Sequence, residues 1–190
     1  AVKLGKYGHQ HNAYVSCEEM LAKENDLDAV LIATPDCFHA QQTVACLKAG
    51  AHVYCEPPMA ITVEDAREMA AVASSSGKLL QIGYQRRSNP YSLFSYHHVI
   101  NETKLLGQIV AANGQWNRPQ LSDRRWPRKS PMDDAELKRL GFESMLQFRN
   151  WQWFEGLGGG PLLEFGSHQI DIFNWFLESV PKTGFASGGV

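Results

Sequence analysis

Apolar residues in the first half of the chain come in short blocks, and polar turns separate them at a regular interval. Asp28-Ala-Val-Leu-Ile-Ala-Thr34 is a continuous apolar run of strand length, the pattern of a strand buried on both faces. A short helix, Cys17 to Lys23, precedes it. A second helix is expected from about Cys37 to Ala49, with Asp36 as its N-cap and Gly50 at its end. His52-Val53-Tyr54-Cys55 reads as the next buried strand, and Glu56-Pro57-Pro58 stops it. Thr62 and Asp65 form a capping pair for a helix that runs to about Ser76. Gly77 closes that helix, and Leu79 to Tyr84 is a third strand. The order β-α-β-α-β predicts a parallel, doubly wound sheet with right-handed crossovers. Ligands of such sheets sit beyond the carboxyl ends of the strands. That rule puts Thr34-Pro35, Glu56-Pro57 and Gln85-Arg86-Arg87 on one edge.

Pro90 opens a helix to about Asn101, and after Gly107 the pattern changes. Gln108 to Trp116 reads as a longer strand of mixed polarity, as in a half-exposed sheet. Residues 117–150 are loop-rich, with a short helix near Asp133–Leu140, and a last strand is expected near Thr183. A boundary near residue 105 divides the chain into residues 1–105 and 106–190. In the second part, Gly158-Gly159-Gly160-Pro161 leads into a helical pattern. Leu163, Gly166, Ile170, Phe173 and Leu177 fall on one side of it. Glu164, His168, Asp171 and Trp175 fall on the other. Two carboxylates and an imidazole on one face can move protons. A polar face that simply meets water has the same pattern, so the spacing alone leaves both readings open.

The chain has 190 residues, 44% hydrophobic and 20% charged, which suits one domain or one and a half with a real core. A net charge of −2 gives no electrostatic footprint for nucleic acid or an anionic membrane. Arg124, Arg125, Arg128 and Lys129 form a basic cluster that suits a phosphate or, equally, a solvated loop. Cys17, Cys37, Cys46 and Cys55 contain no CxxC pair and read as buried free thiols. No apolar run reaches transmembrane length, and no metal site is assigned. The compartment stays open, with the cytoplasm as the default.

Four segments carry a resemblance. They are Ala33-Thr-Pro-Asp-Cys-Phe-His-Ala40, Val53-Tyr-Cys-Glu-Pro-Pro58, Gln81-Ile-Gly-Tyr-Gln-Arg-Arg-Ser-Asn-Pro90 and Gly159-Gly-Pro-Leu-Leu-Glu-Phe-Gly-Ser-His-Gln-Ile-Asp171. Their order resembles that of the glucose–fructose oxidoreductase, inositol dehydrogenase and rhizopine-catabolism (Gfo/Idh/MocA) family, over nearly the whole chain. The resemblance implies a Rossmann domain that binds NAD or NADP. It also implies a C-terminal α+β domain, whose open antiparallel sheet supports substrate binding and a homo-oligomer. The implied reaction is reversible hydride transfer at a sugar or cyclitol carbinol carbon. Thr34, Pro35 and His39 match positions near the nicotinamide half of the cofactor, Glu56 matches one near its ribose, and Gln85 joins the cofactor set. His168 matches the proton-transfer histidine, and Glu164 stands where an Asp is common. Arg87, Trp153 and Asp171 fall to the substrate side. The tryptophans Trp116, Trp126, Trp151 and Trp153 suit either stacking on a sugar face or packing between domains.

Two departures from the family pattern stand out. The family's Glu-Lys-Pro motif reads Glu56-Pro57-Pro58, and proline has no N–H or ammonium to offer a substrate oxygen. No Gly-x-Gly-x-x-Gly is present, so the diphosphate cradle and the ribose selector are expected to lie in a first βαβ unit outside this chain. The chain therefore reads as part of a longer protein that by itself binds NAD weakly. Pro57 keeps two alternatives in view: a catalytically impaired relative that binds a sugar or a partner, and NAD-dependent glycoside cleavage. The three turns Thr34, Glu56 and Gln85 are expected to face Glu164 and His168 across a cleft.

Overall fold

The computed structural model describes residues 12–117, 124–126 and 132–188. Gly5 and Gly8, and Arg128 and Lys129 of the basic cluster, lie outside the described residues. The chain divides into two compact units. The first comprises the described residues up to Thr34 together with Phe38–Ile82. The second comprises Pro35–Cys37 and the described residues from Gly83 onward.

In the first unit, three strands, β1 (Ala29–Ile32), β2 (His52–Cys55) and β3 (Leu80–Ile82), form a parallel sheet in that order. Ile32 pairs with Cys55, and Cys55 with Ile82, so the carboxyl ends of the strands finish in register. The connecting helices are α2 (His39–Lys48) and α3 (Val63–Ser76), and α1 (Cys17–Lys23) packs beside α2. Thr62 Oγ1 accepts from the Asp65 N–H and starts α3, and Gly77, at φ 66°, ends it in the left-handed conformation that favours glycine. Ile32, Val53 and Cys55 meet Leu47 and Met69 in one core. Each large side chain buried there contributes roughly 1.5–3 kcal/mol. Cys17 Sγ lies 3.9 Å from Cys46 Sγ, and all four cysteines are free.

Two expectations for this unit change. The strands are not buried on both faces: Ile32 is in the core, but Leu31 is 77% exposed. Both crossover helices pack on the face of Val53 and Cys55. Asp36 is not an N-cap. A 3-10 turn, Asp36–Phe38, precedes α2, and Phe38 holds the cap position with no side-chain hydrogen bond to the helix start. The Asp36 carboxyl is engaged elsewhere.

The second unit is built of helices and irregular segments. Asn89 caps α4 (Pro90–Phe94), which continues as a π-helix, Ser95–Glu102. Asp133 caps α5 (Asp134–Arg139), and Ser144 caps α6 (Met145–Arg149), which the sequence pattern did not reveal. Buried Asn150 ties α6 to the Arg124 backbone, accepting from its N–H at 2.6 Å and donating to its C=O at 3.3 Å. A second π-helix, Leu162–Gly166, leads into α7 (Ser167–Phe176).

The strands expected at Gln108–Trp116 and near Thr183 are absent: both segments are irregular, and Val110 and Phe185 are exposed. Among the described residues of this unit no strand stands beside either, and a strand without a ladder partner leaves its N–H and C=O groups to water. Of the two readings of the long helix, the structure favours the one in which the polar face is covered. His168 is only 8% exposed, whereas Ile170 and Leu177 are 44% and 41% exposed. Aromatic rings and Arg87 cover the face of His168 and Asp171, so that face points inward.

Candidate functional site

In the first unit, the turns after β1 and β2 are tied by one imidazole. His39, 1% exposed, places Nδ1 2.8 Å from the Pro58 carbonyl oxygen and Nε2 2.9 Å from the Thr34 carbonyl oxygen. Whichever nitrogen carries the proton donates to a backbone carbonyl, so the neutral ring donates to one of the two turns and packs against the other. Thr34 Oγ1 donates to Gln42 Oε1 at 2.8 Å. Glu56 donates its N–H to the Ile32 carbonyl at 2.9 Å and leaves its side chain exposed just past β2. Pro35 and Pro57 are half-buried. An exposed carboxylate at the end of a parallel strand suits the hydroxyls of a ribose. The residues present therefore fit the sugar end of a dinucleotide. Among the described residues no glycine-rich strand-to-helix turn is available for a diphosphate.

In the second unit, α7 and the residues before it gather the acid–base groups. Gly158 and Gly159 bring backbone into close quarters: a Cβ on Gly158 would lie 2.6 Å from Gln152 Cα. The Gly159 N–H donates to the Asp36 carboxyl, and the Cys37 N–H donates to the Leu157 carbonyl at 3.1 Å. Asp36, 3% exposed, is also hydrogen-bonded to the Glu164 carboxyl. Burial first, and then the Glu164 charge, push Asp36 up to about 7, against the opposing pull of the Gly159 N–H. The His168 ring stands edge-on to Tyr84 at 5.6 Å and tilted against Trp116 at 5.6 Å. Burial pushes the Tyr84 phenol above its ordinary value. Arg86 lies over the Trp116 ring at 5.4 Å.

The other expected residues are placed as follows. Arg87 Nε donates to both oxygens of Asp171, at 2.9 and 3.0 Å, and Nη2 approaches Oδ1 at 2.8 Å. Each is the other's partner, and the Arg87 guanidinium also covers Trp175. Trp153 is half-buried and packs on Phe165, with centroids 6.1 Å apart. Gln85 is exposed in a 3-10 turn, Gln85–Ser88. Asp36 and Tyr84 went unnoticed as site residues. The signal for Asp36 was an acidic residue inside the Thr34-Pro35 turn, where a capping role looked sufficient. Among the described residues no group of three His, Cys, Asp or Glu is placed to hold a metal ion, and no helix is long and apolar enough to cross a membrane.

Three in-register parallel strands joined by helical crossovers on one face form part of a nucleotide-binding type of sheet. Residues 5–84 match the GFO_IDH_MocA family, described as an oxidoreductase family with an NAD-binding Rossmann fold. Similar chains include D-glucoside 3-dehydrogenase of Escherichia coli (strain K12), 32% identical over 150 residues, which span 79% of this chain and 36% of the relative. The rhizopine catabolism protein MocA of Rhizobium meliloti is 27% identical over 181 residues, 95% of this chain and 47% of the relative. A crystal structure of an NAD-binding protein from Listeria innocua superimposes with a TM-score of 0.59 at 26% identity, over 90% of this chain and 42% of that one. Residues 5–84 thus belong to the Gfo/Idh/MocA oxidoreductase family, and the chain spans less than half the length of these relatives.

Proposed function

We propose that the protein transfers a hydride between NAD or NADP and the carbinol carbon of a sugar or cyclitol. The observation that carries this reading is His168, a buried imidazole held between Tyr84 and Trp116 four residues after Glu164. The family match and the dehydrogenases among the relatives support the reaction class. Residues 1–105 take the part of the nucleotide-binding domain and residues 106–190 that of the substrate domain. Thr34, Pro35, Glu56 and Gln85 serve the cofactor, and His39 serves it by holding the Thr34 and Pro58 turns in place. The bound nicotinamide supplies the hydride acceptor. His168 takes the hydroxyl proton as the carbinol is oxidised and returns it in reduction. Glu164 is the second proton-transfer group. The Arg87–Asp171 pair and Trp153 shape the substrate side, and Trp116 offers a flat apolar face.

A second reading is favoured by one residue. Pro57 offers no donor where a family member has a lysine, and one such missing donor costs on the order of a hundredfold in rate. The protein is then a slow enzyme or a sugar-binding relative. Single-turnover reduction of NAD and NADP by a panel of polyols and glycosides separates the two. The first reading expects turnover that falls at least about a hundredfold in His168→Ala. Pro57→Lys is expected to gain at least about tenfold, or roughly 1.4 kcal/mol of barrier. Cofactor binding without turnover in both the unmodified protein and Pro57→Lys establishes the second reading.

A further inference from the structure

Asp36 is the most enclosed carboxylate among the described residues of the second unit, and its surroundings do not suit an anion. It is 3% exposed, and Oδ2 reaches no hydrogen-bond donor among the described residues. One backbone N–H, that of Gly159, reaches the carboxyl. The other group against it is the Glu164 carboxyl. Two ionised carboxylates cannot hydrogen-bond to each other, and like charges so close in a buried site cannot both persist. A proton between them converts repulsion into an O–H···O⁻ hydrogen bond, one of the stronger kinds.

We propose that Asp36 and Glu164 hold a single proton between their carboxyl groups, and that Asp36 thereby acts as a positioning residue that fixes the protonation state of Glu164. The proton belongs to the pair, and the pair titrates as one unit. Among the described residues the charge acting on Asp36 is that of Glu164, and Asp36 in turn helps burial to raise the neighbouring Cys37 thiol. The consequence for turnover rests on the reading of Glu164 as a proton-transfer group. At neutrality the proton held by the pair then limits Glu164 as a free base until that proton is lost.

The test is infrared difference spectroscopy of the protein as pH is raised through neutrality, read at the deuterium-sensitive carbonyl stretch of a protonated carboxylic acid. One such band, lost near neutrality, is expected in the unmodified protein. It should be missing there in both Asp36→Asn and Glu164→Gln, because the remaining carboxylate then accepts from an amide. Absence of the band in the unmodified protein, or its persistence in both variants, overturns the proposal. Should either variant fail to fold, carboxyl-13C NMR of the unmodified protein decides. One Asp and one Glu carbon must titrate together near neutrality, and independent titration in the ordinary carboxylate range refutes the pair. In the pH profile of kcat, the limb near neutrality should move down by more than about one pH unit in Asp36→Asn. If the band behaves as expected and that limb stays put, the shared proton stands and the proton-transfer role of Glu164 falls.

Discussion

His39 and Asp36 are three residues apart, belong to different units and are both buried, yet their surroundings are opposites. His39 of the first unit meets two carbonyl oxygens, either of which accepts its ring N–H. Asp36 of the second unit meets a carboxyl group that wants the same proton it does. A buried polar group whose partners complement it fixes backbone, and its removal costs stability. A buried polar group set against its own kind stores a protonation equilibrium instead, and its removal relieves repulsion. These two residues divide the labour: one shapes the turns, and the other sets a charge.

The largest expected effect comes from breaking the complementary side. His39→Ala leaves one of the Thr34 and Pro58 carbonyls without its donor and opens a cavity, so it should cost about 4 kcal/mol in urea unfolding. A loss under about 1 kcal/mol would mean that the two turns hold themselves. The repulsive side should respond with the other sign. The folded-state value of Asp36, about 7, lies above the ordinary aspartate value, so the folded protein binds this proton more tightly than the unfolded chain does. That contribution is complete below the ordinary carboxylate range and is lost as pH rises through about 7. Asp36→Asn should therefore stabilise the protein above neutrality by on the order of 2 kcal/mol. The advantage should shrink or reverse in acid, and paired unfolding curves across that range read it directly. The smallest effect is expected at the ion pair whose Arg87 side is half-exposed. Asp171→Asn should cost only about 0.5–1 kcal/mol, less at high salt, because Arg87 keeps access to water and to Trp175.

Local signals in the sequence were enough for the first unit. The apolar block His52–Cys55 is β2 residue for residue, and the Thr62 cap and Gly77 stop bound α3 as expected. Strand propensity, capping and glycine φ act within a few residues, and here they agree with the packing. Which face of β1 is covered depends on the placement of two helices, and so Leu31 was misjudged. In the second unit the decisive interactions are distant in sequence. Asp36 meets Glu164, and Tyr84 and Trp116 meet His168, and no local period encodes those meetings. The helical pattern of residues 162–177 was visible, but its inward face was not. A buried His and Asp among aromatic rings leave the same alternation as a wet polar stripe.

The wide turn Leu162–Gly166 makes this stretch sensitive to length more than to composition. An i→i+5 turn holds one more residue than the i→i+4 turns of α7 that follow it. Deleting a single residue there would let the backbone close into an ordinary α-helix. Everything on its N-terminal side would then swing by about 100° about the axis relative to Ser167–Phe176. Glu164 would be carried out of reach of Asp36 while each side chain stayed chemically intact. Substitution scanning is blind to that kind of lesion. A one-residue deletion scan through 162–166 exposes it as a loss of the shared-proton signal in a protein that still folds.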